Sequence, residues 1–328
     1  MEIKTILVTG ASGFLGSYIV EALLAQGHKV IALSRKQNTN SRVNLLNIQA
    51  DLNDPSSFES QLPTVNYIIH AAGKVSYDPK QSEELYRVNQ KATSHLINFA
   101  LDRSIEKFIY ISSASTLRRS SKEDMISENV PGSPIFYSNY SRSKYLGEME
   151  VRRGEAEGLS VSILNPSLII GYGDWNKGSC NIFKKAAFGM KYYPSGNVGL
   201  VMVDDIVKVC LKIINKELVS NENILLNSET WSYKNLFENL CLNFSSQLPS
   251  IQIGKRMSYI ASFLDYLKST VDGSERLISK ETIKQISQKI KYQSTYSNEL
   301  IQFELKKILP ELSVLCNRYK LILESKNH

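Results

Sequence analysis

The sequence predicts an α/β fold, a doubly wound parallel sheet with a smaller, interleaved C-terminal domain. Three observations carry the prediction. Short β-branched and aromatic runs alternate with segments of helical period, the first alternation is joined by a glycine-rich turn, and small or polar residues collect where the short runs end. Open sheets of this kind hold ligands at the carboxyl ends of their strands, so the third observation is what the first two require.

Ile6-Leu7-Val8 is too short and too β-branched for a helix and suits a buried strand. Leu15, Ile19, Ala22 and Leu23 then share one helix face, Gly27 falls where that helix should stop, and Lys29-Val30-Ile31-Ala32-Leu33 is a second strand. Between strand and helix stands Thr9-Gly10-Ala11-Ser12-Gly13-Phe14-Leu15-Gly16, with glycines spaced Gly-x-x-Gly-x-x-Gly. Glycines let a backbone approach a pyrophosphate with no Cβ in the way, and the helix N-terminus favours an anion. Strand, glycine turn and helix together make a Rossmann-type dinucleotide site the expectation.

After the second strand, Ser34-Arg35-Lys36 should pass the adenosine ribose. An acid there would repel a 2′-phosphate, whereas the charges of Arg35 and Lys36 attract one, so NADP is favoured and NAD stays open. Such a contact is worth about 1.5–3 kcal/mol. Asn47-Ile48-Gln49-Ala50 is a third strand, with Asp51-Leu52 at the adenine edge, and Asp54-Pro55 has the form of a helix N-cap. Tyr67-Ile68-Ile69 is a fourth strand ending in His70-Ala71-Ala72-Gly73, whose small residues leave room for a cofactor; nothing local poises His70, which is expected to be structural. Asp78-Pro79 opens a helix containing Tyr86-Arg87-Val88-Asn89, and Phe108-Ile109-Tyr110-Ile111 is a fifth strand ending in Ser112-Ser113-Ala114-Ser115.

The chemistry centres on Tyr140 and Lys144, four residues apart and therefore on one helix face. Reduction of a carbonyl needs a hydride donor held against carbon, a proton for oxygen, and a group that polarises the oxygen. Tyr140 can give the proton. A neighbouring Lys144 ammonium, together with the positive nicotinamide of the oxidised cofactor, would favour the phenolate, since the phenol's ordinary pKa is about 10, and Lys144 can also bond the nicotinamide ribose. A serine at the end of the fifth strand would orient the substrate oxygen. Ser113 is the choice, with Ser112 and Ser115 as competitors; strand alternation turns Ser112 away from the face shared by Ser113 and Ser115.

Thr9 to Gly16, Asp51-Leu52, His70-Ala71-Ala72, Ser113, Tyr140-x-x-x-Lys144 and Asn165-Pro166-Ser167 resemble the extended short-chain dehydrogenase/reductases over essentially the whole chain. The set is most similar to their dihydroflavonol-reductase and 3β-hydroxysteroid-dehydrogenase-like branch, grouped with the NAD-dependent epimerase/dehydratases. The resemblance implies Ser113, Tyr140 and Lys144 as catalytic triad and Gly10, Gly13, Phe14, Leu15 and Gly16 on the pyrophosphate. It also implies Asp51 and Leu52 at the adenine, Ala71 and Ala72 along the cofactor, Pro166 and Ser167 beside the nicotinamide, and Asn89 as mainly structural. The chain departs from sugar-nucleotide dehydratases, with Ser115-Thr116-Leu117-Arg118-Arg119 in place of a Thr-Asp-Glu run. It also lacks the epimerases' Tyr-Gly pair and their acid after the second strand. The family's frequent Arg-Pro is Asn165-Pro166. These features favour an NADPH-dependent reductase of an aldehyde or ketone. A nucleotide-sugar epimerase with retained NAD is the alternative, and a nucleotide-sensing protein without turnover is the alternative of another class.

At 328 residues, 42% hydrophobic and 22% charged, the chain suffices for a nucleotide-binding domain and a smaller second one. The expected division is 1–170 with 200–228 for the NADP-binding domain, and 171–199 with 229–328 for the substrate-binding domain. In the latter, Ile170-Gly171-Tyr172-Gly173-Asp174-Trp175 opens a region of loops and short helices. Val201-Met202-Val203-Asp204-Asp205-Ile206 resembles a family segment whose aspartate braces the lobe. Val207, Leu211 and Ile214 continue a helix face, and Ile224-Leu225-Leu226 adds a last strand. Met257 to Leu267 reads as an amphipathic stretch, favoured as a packing helix, with a membrane-surface element or a roof over an apolar substrate pocket left open. Lys280 to Lys291 reads as a helix with a basic face, and Glu324 to His328 should fray.

Cys180, Cys210, Cys241 and Cys316 are scattered as buried hydrophobes would be in a reducing compartment, and the histidines and acids show no metal-ligand spacing. The net charge of +7 is spread along the chain, with no basic-aromatic motif, so nucleic acid is not expected. With no run of 18 apolar residues and no leader, the expectation is a cytoplasmic enzyme of a small carbonyl or alcohol substrate, without membrane or metal; a homodimer stays open.

Overall fold

Seven strands pair in parallel: β1 (Thr5–Thr9), β2 (Lys29–Ser34), β3 (Leu45–Gln49), β4 (Tyr67–His70), β5 (Lys107–Ile111), β6 (Val161–Pro166) and, later in the chain, Asn223–Leu226. The structure, a computed structural model, describes residues 2–36, 42–120, 125–128, 134–254 and 279–324. Two further strands precede the last one, β7 (Leu168–Ile170) and β8 (Asn197–Met202), so Asn223–Leu226 is β9, and β10 (Glu229–Ser232) follows. The main sheet runs β9-β6-β5-β4-β1-β2-β3, and a smaller one runs β10-β8-β7. The order reverses between β1 and β4, which opens a crevice at the carboxyl ends of these two strands.

Strand periodicity makes the sheet two-sided. Ile6 and Val8 pack towards α1 (Phe14–Ala25) and α6 (Val203–Ile214), among Ile19, Leu23, Ile206 and Val209. Leu7 faces the other way with Phe108 and Tyr110, against Leu96 and Ile97 of α3 (Ala92–Asp102) and Val151 of α4 (Asn139–Ala156). All of these side chains are buried, which is why both faces of the parallel strands read as apolar. A third cluster fills the smaller lobe: Leu200 and Met202 of β8 meet Phe183 of α5 (Asn181–Ala187), Leu236 and Leu240 of α7 (Tyr233–Phe244), and Leu312 and Tyr319 of the C-terminal helix Ile308–Glu324.

The five expected strands of the first half are present, although β3 begins two residues early, paired from Val30↔Leu45. Both Asp-Pro signals cap turns of 3-10 helix: Asp54 accepts from Ser56 N, and Asp78 from Lys80 N. The latter turn leads into α2 (Ser82–Tyr86), a π-turn over Arg87–Lys91, and α3. The helix expected over Lys280 to Lys291 is shorter. It covers Lys280–Ile286 (α8), because Gly196 N and Asn197 N take the carbonyls of Ile286 and Gln288 at 3.1 and 2.8 Å, and Lys291 joins a short strand pairing with Met125–Ile126. The Met257 to Leu267 segment and residues 325–328 lie outside the described residues. The strand expected over Ile224 to Leu226 is β9, and Asp205 accepts from Lys306 N at 2.9 Å as a brace. All four cysteines are buried and free, and among the described residues no helix is long and apolar enough to cross a membrane.

Candidate active site

Glycines make the first turn possible. Gly10 has φ +67°, and a Cβ there would stand 2.7 Å from the backbone of Ala72; one on Gly16 would stand 2.1 Å from Gly10 O. The turn is thus closed upon itself and upon the end of β4. Helix α1 starts at Phe14 with no side-chain cap on its N-terminus, so its first N–H groups point at whatever occupies the crevice. A dinucleotide pyrophosphate fits this cradle. The side chain of Leu15 belongs to the core, so a contact from Leu15 to the pyrophosphate would come from its backbone. The Phe14 ring packs on Gly171 and Gly173, either of which would clash with it if it carried a Cβ.

The other expected nucleotide residues line the same carboxyl edge. Arg35 and Lys36 follow β2, where Gln49 Nε2 donates to Arg35 O and Ser34 Oγ to Lys36 O. Asp51 accepts from Asn53 N at 3.0 Å, which with the nearby Arg87 and Arg35 holds its carboxyl below the usual range. Leu52 is buried. Ala72 N donates to Thr9 Oγ1 at 3.3 Å, and Ser167, after Pro166, donates its N–H to Leu226 O. His70 is structural as expected. Thr93 spends its proton on Asn89 O, so His70 Nε2–H donates to Thr93 Oγ1 (2.9 Å) and Nδ1 accepts from Thr9 (2.6 Å). Burial of this neutral ring pushes its pKa down to about 3.

Tyr140 lies in the first turn of α4, whose N-terminus is capped by Ser138 and by a bidentate grip from Glu281 of α8 on Asn139 N and Nδ2, both at 2.9 Å. Ser113 Oγ lies 2.9 Å from Ser115 Oγ and within electrostatic reach of the Tyr140 phenol, while the Ser112 hydroxyl is buried on the side of Glu148. This orientation favours Ser113 over Ser112. One expectation is corrected. The Tyr140 phenol stands above its ordinary pKa, raised by burial and countered by Ser113 rather than by Lys144. Lys144 donates instead to Ile111 O at 2.7 Å and lies 4.3 Å from the Tyr110 ring; its burial brings the ammonium down to about 7.

Sequence reasoning missed the residues that enclose this centre. Tyr77 meets Tyr140 edge-to-face at 5.9 Å, accepts from Gln285, and has Tyr233 and Tyr292 within electrostatic reach. Tyr77 stands between two signals that were read, Gly73 and Asp78, but its partners come from distant segments and carry no local pattern. Glu148 does carry one, at i+4 from Lys144 and i+8 from Tyr140.

A parallel sheet with a glycine turn at its switch point, and Ser113, Tyr140 and Lys144 at the same edge, defines a dinucleotide-dependent oxidoreductase class. Residues 6–226 match the NAD dependent epimerase/dehydratase family, and the chain belongs to that family of NAD(P)-dependent oxidoreductases and epimerases. It is 30% identical over 235 residues to sterol demethylase protein B of Methylococcus capsulatus, covering 69% of this chain and 70% of that protein. It is 32% identical over 152 residues to the decarboxylating sterol-4-alpha-carboxylate 3-dehydrogenase of Dictyostelium discoideum, a match over 44% of this chain that spans about half of the relative (46%). A UDP-glucose 4-epimerase structure from Thermotoga maritima shares the fold, with TM-score 0.71, 21% identity, and 97% and 99% of the two chains covered.

Proposed function

We propose that the chain is an NADPH-dependent reductase of an aldehyde or ketone carried on a bulky, partly apolar body. The observation that carries the reading is the placing of Ser113 within reach of the Tyr140 phenol, with Lys144 one turn further along α4, at the carboxyl edge of the sheet. Nicotinamide, when bound, supplies the hydride. Ser113 then holds the carbonyl oxygen, Tyr140 delivers the proton to it, and Lys144 bonds the ribose. A phenol raised by burial keeps its proton at neutral pH, which suits a donor in the reducing direction. Tyr77 beside Tyr140 suits a flat apolar substrate, and the sterol relatives support that chemistry. Arg35, with Lys36, supports the 2′-phosphate preference.

The test is Tyr140→Phe, assayed by NADPH oxidation against a panel of 3-ketosteroids, dihydroflavonols and aryl aldehydes. Loss of a general acid should lower kcat roughly a hundredfold to ten-thousandfold while leaving nucleotide affinity nearly unchanged. Retained turnover would remove Tyr140 from the mechanism. A tightly retained NAD, with no net oxidation of NADPH by any carbonyl, would overturn the reductase reading in favour of an epimerase.

A further inference from the structure

Glu148 is an acid in a place where acids are costly. It lies on α4 one turn beyond Lys144, is 3% exposed, and its Oε1 is 2.7 Å from Thr116 Oγ1 and 2.6 Å from Asn165 Nδ2. Those partners also hold the serine segment: Thr116 Oγ1 is 2.7 Å, and Asn165 Nδ2 3.2 Å, from Ser113 O. Asn165 is itself fully buried, at 0% exposure. The carboxylate therefore ties the helix bearing Tyr140 and Lys144 to the peptide of Ser113.

Among the described residues its charge has one counterpart. Asn165 of β6 offers Glu148 an amide, which carries no charge. The groups that face the pair are His70 from β4, neutral and hydrogen-bonded on both nitrogens; Tyr110 from β5, whose phenol is raised by burial; Tyr140 on α4; and the uncharged Ser112, Thr116 and Asn165. Among the described residues, Lys144 is the one cation acting on Glu148, and Glu148 the one acid acting on Lys144.

We propose that Glu148 is a positioning residue, the buried counter-charge of the Lys144 ammonium, fastened to Ser113 so that serine, phenol and ammonium form one rigid unit. The inference rests on the roles given above to Tyr140 and Lys144. In support, burial draws the Lys144 ammonium down, and Glu148 acts in the opposite sense.

Glu148→Gln removes the charge and keeps an acceptor for Thr116 and Asn165. In the nucleotide-free protein, the 15N-lysine resonance that disappears in Lys144→Met should titrate at about 7 in the parent, and lower by about one unit in Glu148→Gln. With NADPH and the best carbonyl of the panel, the alkaline limb of the rate profile should move down with it, kcat should fall about tenfold at pH 8, and the NADPH Kd should stay within about threefold. Should Glu148→Gln not fold, Asn165→Arg keeps the acid, gives it a rival cation, and must shift Lys144 in the same direction. An unmoved Lys144 titration overturns the proposal, and does so whatever the fate of Tyr140→Phe. A shifted titration with an active Tyr140→Phe overturns the catalytic role and the reading beneath it.

Discussion

Gly147→Ala sets two effects of known size against each other. Gly147 lies inside α4 between Lys144 and Glu148, where helix propensity alone makes alanine better by about 0.8–1.0 kcal/mol. A Cβ at this position, however, would stand 2.3 Å from Asn89 O and 2.3 Å from Tyr110 Oη, where ordinary contact begins at 3.4 Å. Asn89 O is a backbone atom that already accepts from Thr93, and Tyr110 is fully buried, so neither can step aside. The helix must retreat by roughly 1 Å, and overpacking of that kind typically costs about 1–3 kcal/mol. The clash should win. Urea unfolding is expected to show a net loss of about 1–2 kcal/mol, and a displacement of about 1 Å under Tyr140 should lower kcat roughly a hundredfold. Gly154→Ala is the comparison, since the three atoms nearest its Cβ would be side-chain carbons of Ile97 and Leu159, at 2.8, 3.4 and 3.4 Å, with no backbone atom among them, and its loss should be the smaller. If Gly147→Ala proved as stable as the parent and equally active, the tight seating of α4 would be refuted.

Arg35→Ala should weaken NADPH binding about tenfold in a fluorescence titration and leave NADH nearly unchanged, because only the 2′-phosphate needs the guanidinium; equal effects on both would dismiss the clamp. The His70 ring gives a pH signature. Its native pKa is about 3 against 6.5 as the reference, so the unfolded chain takes up a proton that the native state refuses. That contribution to stability is intact above pH 6.5 and is lost as pH falls towards 3, amounting to about 2 kcal/mol at pH 5. Glu148, raised by burial, acts in the opposite sense in the parent and in a variant alike. His70→Asn should therefore be less stable at pH 7.5 yet lose about 2 kcal/mol less than the parent between pH 7.5 and 5; parallel urea curves at the two pH values would show that His70 does not titrate on unfolding.

What could be read in advance was local. Ile6-Leu7-Val8, the glycine turn and the second strand form one continuous βαβ stretch whose composition leaves few alternatives, and Tyr140 and Lys144 sit at a helical spacing on an actual helix. Strand alternation sets Ser112 apart from Ser113 and Ser115, although β5 ends at Ile111 and Ser113 caps a 3-10 turn over Ala114–Thr116, so alternation no longer governs where these side chains lie. The grip of Glu281 on Asn139, the aromatic surround of Tyr140 and the amide of Asn165 on Glu148 join segments far apart in the chain, and no residue spacing announces such pairs. The helix beyond Ile286 failed for the same reason, because distant backbone donors claimed its carbonyls.

Tyr319 ties the seat of the nucleotide turn to the helix Ile308–Glu324. Its hydroxyl accepts from Gly173 N at 2.8 Å and donates to Gly171 O at 3.1 Å, across 146 and 148 residues of chain, and those glycines are what Phe14 rests on. A chain emerging from the ribosome can complete its parallel sheet once Leu226 is out, yet the floor beneath Phe14 must wait for the helix Ile308–Glu324. Nascent molecules would thus carry a finished frame with an unfinished nucleotide seat, and would depend on late-arriving residues before they could hold the cofactor that stabilises them.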